Sequence, residues 1–211
     1  MDRPSLSVTT LCAAALAAPL AAQRSPARLD ASVGGTGTAQ RAAVSIWFPV
    51  ARLADRVHAG FGVRVSAYAG DPRDYTNRGT AQGGLVSTLS IDPAVYALNA
   101  AVFGAFDATN RVTVGANLDV IGVATGPTRT VGSLSEKPQR LSYFAYGSRD
   151  HGALNSEFFL SVRVTPRVDL RGGASHYVTN YTVTDTGAAG GITSRYQRFE
   201  TVPFIAVRLR L

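Results

Sequence analysis

Apolar and polar residues alternate along most of this chain with a period of two, which is the pattern of a strand with two contrasting faces rather than of a helix. Between Val112 and Gly122, one parity holds Val112, Val114, Ala116, Leu118 and Val120, and the other holds Thr113, Gly115, Asn117 and Asp119. The same alternation sets Val57, Ala59, Phe61, Val63, Val65 and Ala67 against His58, Gly60, Gly62, Arg64, Ser66 and Tyr68. It recurs over Leu154 to Val164 and again over Phe204 to Leu211. Turn-forming residues break the pattern at Ala54-Asp55-Arg56, Asp107-Ala108-Thr109-Asn110 and Thr165-Pro166-Arg167, and longer breaks fall at 70–92, 126–152 and 184–197. The spacing predicts eight strands near 28–36, 42–53, 56–69, 93–106, 110–125, 153–164, 168–183 and 198–211, with a loop around Gly37 to Gln40 joining the first pair. An even strand count with alternating short and long connections is what an outer-membrane barrel requires, its termini and short turns in the periplasm and its longer loops outside.

The first 22 residues have a different pattern: Arg3 gives a short positive start, Leu11 to Leu20 an apolar run, and Leu20-Ala21-Ala22 a small-residue cleavage site before Gln23. The run is too short to span a bilayer as a helix, which takes roughly 20 apolar residues. The organisation read from this is a cleaved signal peptide over 1–22, a short segment over 23–27 and a barrel domain over 28–211. Cys12, the only cysteine, falls in the removed segment, so disulfides, thiol catalysis and thiolate metal sites are not expected. With 45% hydrophobic and 17% charged residues among 211, the chain is too apolar for a disordered protein. Its net charge of +7 comes almost wholly from dispersed arginines, Lys137 being the only lysine, so nucleic acid is not an expected partner.

Alternation alone does not say which face points outward, and a soluble lipocalin-like carrier places its faces opposite to a membrane barrel. One parity collects small residues with Arg64, Asp119, Glu157, Arg163, Asp169, Arg171, Arg208 and Arg210, a mixed-sign set suited to a narrow interior. The other parity carries almost no charge and is assigned to lipid, since a water-facing surface so apolar invites aggregation. On the fourth strand Tyr96 and Phe106 share the lipid parity and stand about 26 Å apart along the axis at ~40° tilt, close to the ~25 Å between aromatic girdles. Phe48 is grouped with them among the girdle aromatics.

The export signal, the eight alternating strands, the tight turns and the closing strand Phe204-Ile205-Ala206-Val207-Arg208-Leu209-Arg210-Leu211 together resemble the small outer-membrane β-barrel proteins, and in particular the outer membrane protein A-like barrel domain. The resemblance covers about residues 28 to 211 and implies an all-β, single antiparallel up-and-down transmembrane barrel of eight strands. It further implies a Gram-negative outer-membrane location and insertion by the barrel-assembly machinery, which reads the closing strand. That strand usually ends in an aromatic residue, where this chain has Leu211.

Eight strands enclose a space that side chains fill, so a broad pore is not expected. The inward charges are read as a plug of ion pairs, with Arg64 a partner of Asp119 or Glu157; a gated narrow ion path is the alternative. For a lipid A-modifying enzyme, pairing about Pro166 sets Glu157 opposite Ser175 and beside His176. As neighbours on a strand, Ser175 and His176 point to opposite faces unless the strand is irregular. The Gly172-Gly173 pair predicts a β-bulge that turns His176 inward toward Glu157, turns Tyr177, Tyr181 and Val183 outward, and leaves Ser175 on the lipid side. In the long segment 126–152, Arg129, Glu136, Lys137, Arg140, Arg149 and Asp150, net +2, interleave with Tyr143, Phe144 and Tyr146, a composition suited to lipopolysaccharide phosphates or to another surface. His151 in that segment is read as solvated, and no cofactor or metal is expected. The sequence reading is therefore a monomeric outer-membrane barrel with a structural or surface-interaction role, in contact with outer-membrane lipid and lipopolysaccharide.

Overall fold

The computed structural model describes residues 26–78, 87–143, 153–187 and 191–211. The expected signal peptide and cleavage site, and Phe144, Tyr146, Arg149, Asp150 and His151, lie outside the described residues. The described residues form strands and no helices: β1 (Arg28–Gly35), β2 (Ala39–Ala54), β3 (Val57–Gly70), β4 (Arg73–Asn77), β5 (Thr88–Ile91), β6 (Ala94–Asp107), β7 (Val112–Thr125), β8 (Arg129–Val131), β9 (Leu134–Pro138), β10 (Leu141–Tyr143), β11 (Leu154–Arg163), β12 (Val168–Asp185) and β13 (Ile192–Arg210). Eight of them close a ring by antiparallel pairing in the order β1-β2-β3-β6-β7-β11-β12-β13, and β13 returns to β1 with Arg28 opposite Arg210. Closure leaves no strand edge within the membrane, where an unpaired backbone amide has no water to bond.

The ring is inverted relative to a soluble barrel. Val33, Val44, Phe61, Val63, Val65, Leu98, Val102, Leu160, Ile205 and Val207 point outward and are about half exposed, whereas Asp30, Arg41, Arg64, Asp119, Glu157, Asp169, Arg171 and Arg208 are buried inside. A lipocalin-like carrier needs the reverse, so the protein is a membrane-spanning barrel of the outer-membrane type. Tyr96 and Phe106 both face outward, and Phe48 lies across from Phe61 with ring centroids 5.4 Å apart.

The structure differs from the sequence reading at the end away from the termini. The first connection there is three residues long, and the segments 70–92 and 126–152 contain the β4–β5 and β8–β9 hairpins and β10. The break expected over 184–197 is mostly strand, because β12 and β13 pair continuously up to Asp185 and Ile192. The β4–β5 hairpin adds to β13, β9 adds to β12 and β10 adds to β7, so the wall continues above the bilayer as sheet. The two-residue turn of the β8–β9 hairpin uses Gly132 at φ +61°, a conformation that glycine adopts without strain.

The bulge lies elsewhere than the sequence suggests. Gly172 and Gly173 pair in regular register with Leu160 and Phe159, so parity does not change along β12. His176 therefore points outward, Ser175 inward, and Tyr177, Tyr181 and Val183 are buried inside, each the opposite of the expectation. Register shifts fall instead in β2, between Pro49 and Ala51 and between Arg52 and Ala54, and in β7, where Ala100 pairs Ile121 and Ala101 pairs Asp119, which leaves Val120 without a partner. That extra residue lets Asp119 stay inside while Ile121 and Val123 face lipid.

Glycines on the inner wall make room for rings. A Cβ at Gly62 meets the Trp47 ring at 2.4 Å and the Ile46 carbonyl oxygen at 2.5 Å. Gly62→Ala is expected to cost about 1–3 kcal/mol through overpacking, read as a lower urea midpoint for the folded, fast-migrating gel band. An unchanged midpoint would show that Trp47 has space to move.

Candidate functional site

Every strand of the ring contributes at least one side chain to one buried polar knot. Asp30 from β1 accepts from Arg208 of β13 at 2.7 and 3.0 Å, from Trp47 Nε1 of β2 at 2.9 Å and from Arg171 of β12. Glu157 of β11 pairs with Arg41 of β2 at 2.7 Å, Arg64 of β3 at 3.1 Å and Arg171 at 3.7 Å. Asp119 of β7 accepts from Arg64 at 2.9 Å, Asn99 of β6 at 2.7 Å and the Asn155 backbone N–H at 3.1 Å. Asn117 accepts from Arg64 at 2.7 Å and donates to Glu157 at 2.8 Å. Three carboxylates thus face four guanidinium groups. The surplus cation is spread over aromatic faces: Arg171 lies 3.8 Å from the Phe159 centroid, Arg41 5.3 Å from Phe204 and Arg64 5.5 Å from Trp47.

Arg163 and Asp169 sit at the rim on the side of the termini, not in the knot. Asp169 is held by Arg210 at 2.9 and 3.0 Å, and Arg163, partly exposed, is 3.9 Å away. At the same rim His58 Nε2 is 2.6 Å from Asp107, which also accepts from Thr113 at 2.6 Å.

Above the knot the interior changes from charged to aromatic. Tyr68 stacks on Tyr177 at 4.9 Å, Tyr75 meets Tyr181 edge-on at 5.4 Å, and Ile91, Val95 and Val183 fill the remaining space. The polar ends are satisfied: Tyr75 shares a hydrogen bond of 2.8 Å with Thr179, the Tyr181 hydroxyl accepts from the Ala94 N–H at 2.8 Å, and Tyr68 donates to Glu200. Arg73 at 3.0 Å and Arg198 at 3.6 Å neutralise Glu200. Burial pushes the Tyr75 phenol up, so it stays neutral, and burial likewise lifts the Glu136 carboxyl against the pull of Arg129.

The Ser175, His176 and Glu157 grouping does not form a nucleophile and base. Ser175 is opposite Glu157 in register, but its hydroxyl donates to Asn155 inside the barrel. His176 is on the outer wall, its Nδ1 3.0 Å from Thr201 Oγ1 and its ring stacked on Phe199 at 5.7 Å. The backbone of β12 separates the two side chains. An outward imidazole is tolerated because Thr201 lies directly across the strand pair, a partner the sequence reading did not supply. Among the described residues, no group of three His, Cys, Asp or Glu side chains is placed to hold a metal.

The sequence reading missed Asp30, Arg41, Asn99, Asn117 and Asn155 as members of the knot. A signal existed for Arg41, which shares its parity with Ser45 and Trp47, but the strand was expected to begin at residue 42 and β2 begins at Ala39.

No protein-family model matches the chain, and no curated protein matches it. Among solved structures the chain is similar to Neisserial surface protein A, at 17% identity over 88% of this chain and 94% of that one, with a TM-score of 0.41. It is similar to a major outer membrane protein from Thermus thermophilus, at 12% identity over 88% and 99%, TM-score 0.37. It is also similar to the outer membrane protease OmpT from Escherichia coli, at 10% identity over 82% and 64%, TM-score 0.38.

Proposed function

We propose that this outer-membrane barrel is a closed, monomeric wall element with a structural or surface-interaction role, delivered by the barrel-assembly machinery, and neither a channel nor a lipid-modifying hydrolase. The observation that carries the reading is the knot: Arg41, Arg64, Asp119, Glu157 and Arg171 are each at most 4% exposed and cross-link strands from all sides of the ring. Opening an ion path past them means separating buried opposite charges, which costs several kcal/mol per uncompensated ion. The tyrosine layer closes the lumen a second time above the knot. The three tight turns and both ends of the barrel lie together and face the periplasm, and the sheet extension faces outward.

The test is a planar-bilayer recording of the refolded full chain at several voltages. The expected result is a baseline without stepwise openings. Sustained unitary conductance in the wild type overturns the closed reading and favours the narrow ion path.

A further inference from the structure

Among the described residues, three apolar grooves stand out on the outer wall, and one of them carries positive charge outside any ion pair. The first lies beside Val33, Ala42 and Ala67, but the only cation lining it is Arg41, which is buried and committed to Glu157. The second, between Val44, Leu170 and Val207, is lined likewise by a single cation, the buried and ion-paired Arg171. The third, of about 870 Å³, has a floor of Val65, Tyr96, Leu98 and Val123, all outward and about half exposed, and is bordered by Lys137 and Arg140.

The chain places these two cations by a specific route. Above the top of β11 the segment after β9 closes the gap in the wall: Gln139 N–H donates to Asn180 of β12 at 2.8 Å, and Ala124 of β7 donates to the Arg140 carbonyl at 2.7 Å. Lys137 pairs with Thr182, whose parity on β12 is the outward one, so the lysine is carried to the outer surface. Both cations are exposed, and among the described residues neither has a carboxylate within ion-pair distance. The acids nearby are engaged: Asp92 is paired with Arg129, and Glu136 is buried and faces Arg129 across the β8–β9 hairpin.

Tyr96 marks the upper girdle, so the floor lies in the acyl region of one leaflet and the cations stand at its headgroup level. The occupant that fits is a lipid with several acyl chains and phosphate on its head. We propose that Lys137 and Arg140 hold a phosphate of outer-leaflet lipopolysaccharide while its acyl chains lie over Val65, Leu98 and Val123. The choice of leaflet rests on the orientation given above, with the sheet extension outside.

The test uses the full refolded chain in phosphatidylcholine nanodiscs, titrated with purified bis-phosphorylated lipid A and, separately, with phosphatidylglycerol and with dephosphorylated lipid A. Wild type is expected to prefer bis-phosphorylated lipid A over both other lipids. Lys137→Gln with Arg140→Gln is expected to weaken that binding roughly 30-fold, from about 1 kcal/mol per basic residue at a lipid surface. Arg167→Gln, on the opposite rim, is expected to leave it unchanged. Equal binding of the dephosphorylated lipid or of phosphatidylglycerol to wild type overturns the proposal, as does full affinity in the double variant or an equal loss in Arg167→Gln. Orientation is read independently by labelling a Thr130→Cys variant on intact cells with a membrane-impermeant thiol reagent. Labelling without lipid A selectivity sinks this inference alone, and absence of labelling sinks the orientation on which it rests.

Discussion

Glu157→Leu is expected to destabilise the barrel by about 3–5 kcal/mol, the cost of removing one partner from a buried ion pair and leaving the other charged. Glu157 is the carboxylate that Arg41, Arg64 and Arg171 share, and it is the only ion-pair partner of Arg41 in the described structure. Its loss leaves two carboxylates against four guanidinium groups, and Asn117 and Asn155 lose an acceptor as well. The measurement is the urea midpoint of the heat-modifiable band in lipid vesicles. Arg41→Leu added to Glu157→Leu is expected to recover part of the loss, because it removes a cation left with no carboxylate, only the Ser32 hydroxyl and the Phe204 ring. A loss under about 1 kcal/mol from Glu157→Leu would mean that water solvates the freed guanidinium groups. The interior would then be wet, and the closed reading of the lumen would fail.

What could be read from the chain was the period of two, because a lipid-facing wall forces apolar residues onto alternate positions wherever the strand is regular. Leu98, Val102, Leu160, Ile205 and Val207 were legible for that reason. The irregular point of β7 was legible too, but a bulge was sought in the wrong place. Apolar residues switch parity between Val120 and Ile121, which is the trace a bulge leaves, whereas in the Gly172-Gly173 pair the second glycine has a packing cause. A Cβ at Gly173 meets the Phe158 carbonyl oxygen at 2.0 Å and Phe159 Cα at 2.9 Å, so the position needs hydrogen for close approach and not an unusual backbone angle. Of the knot, the long-range partners were not legible. Arg41 and Glu157 are 116 residues apart, and which of several inward acids an arginine meets depends on the stagger of strands that share no local sequence signal. The sheet extension was hidden for a different reason. Its strands β5, β8 and β10 run three or four residues, too few to display an alternation.

Leu118→Arg is the substitution that most directly tests which face meets hydrocarbon, and it is expected to cost about 2–4 kcal/mol, the depth-dependent penalty for a cation at the bilayer midplane. Leu118 pairs with Val102, which stands midway between the outward rings of Tyr96 and Phe106 on β6, so the site is near the centre of the apolar band. Gln40→Arg places the same side chain on the outward parity of β2 but at its upper end, where β2 meets the three-residue connection to β1. There the arginine reaches headgroups and water, and the expected cost falls to about 0–1 kcal/mol. Asn117→Arg, one residue away from Leu118 but inside, is a third case: it removes the side chain that bridges Arg64 to Glu157 and adds a guanidinium to a knot already one cation in excess. It is expected to block assembly, seen as loss of the heat-modifiable band. The comparison that decides is between the two outward sites, because they share the chemistry of the change and differ only in depth. Equal costs at Leu118 and Gln40 would mean that the outer wall at mid-height is not in contact with lipid, and the inverted parity would then need another cause.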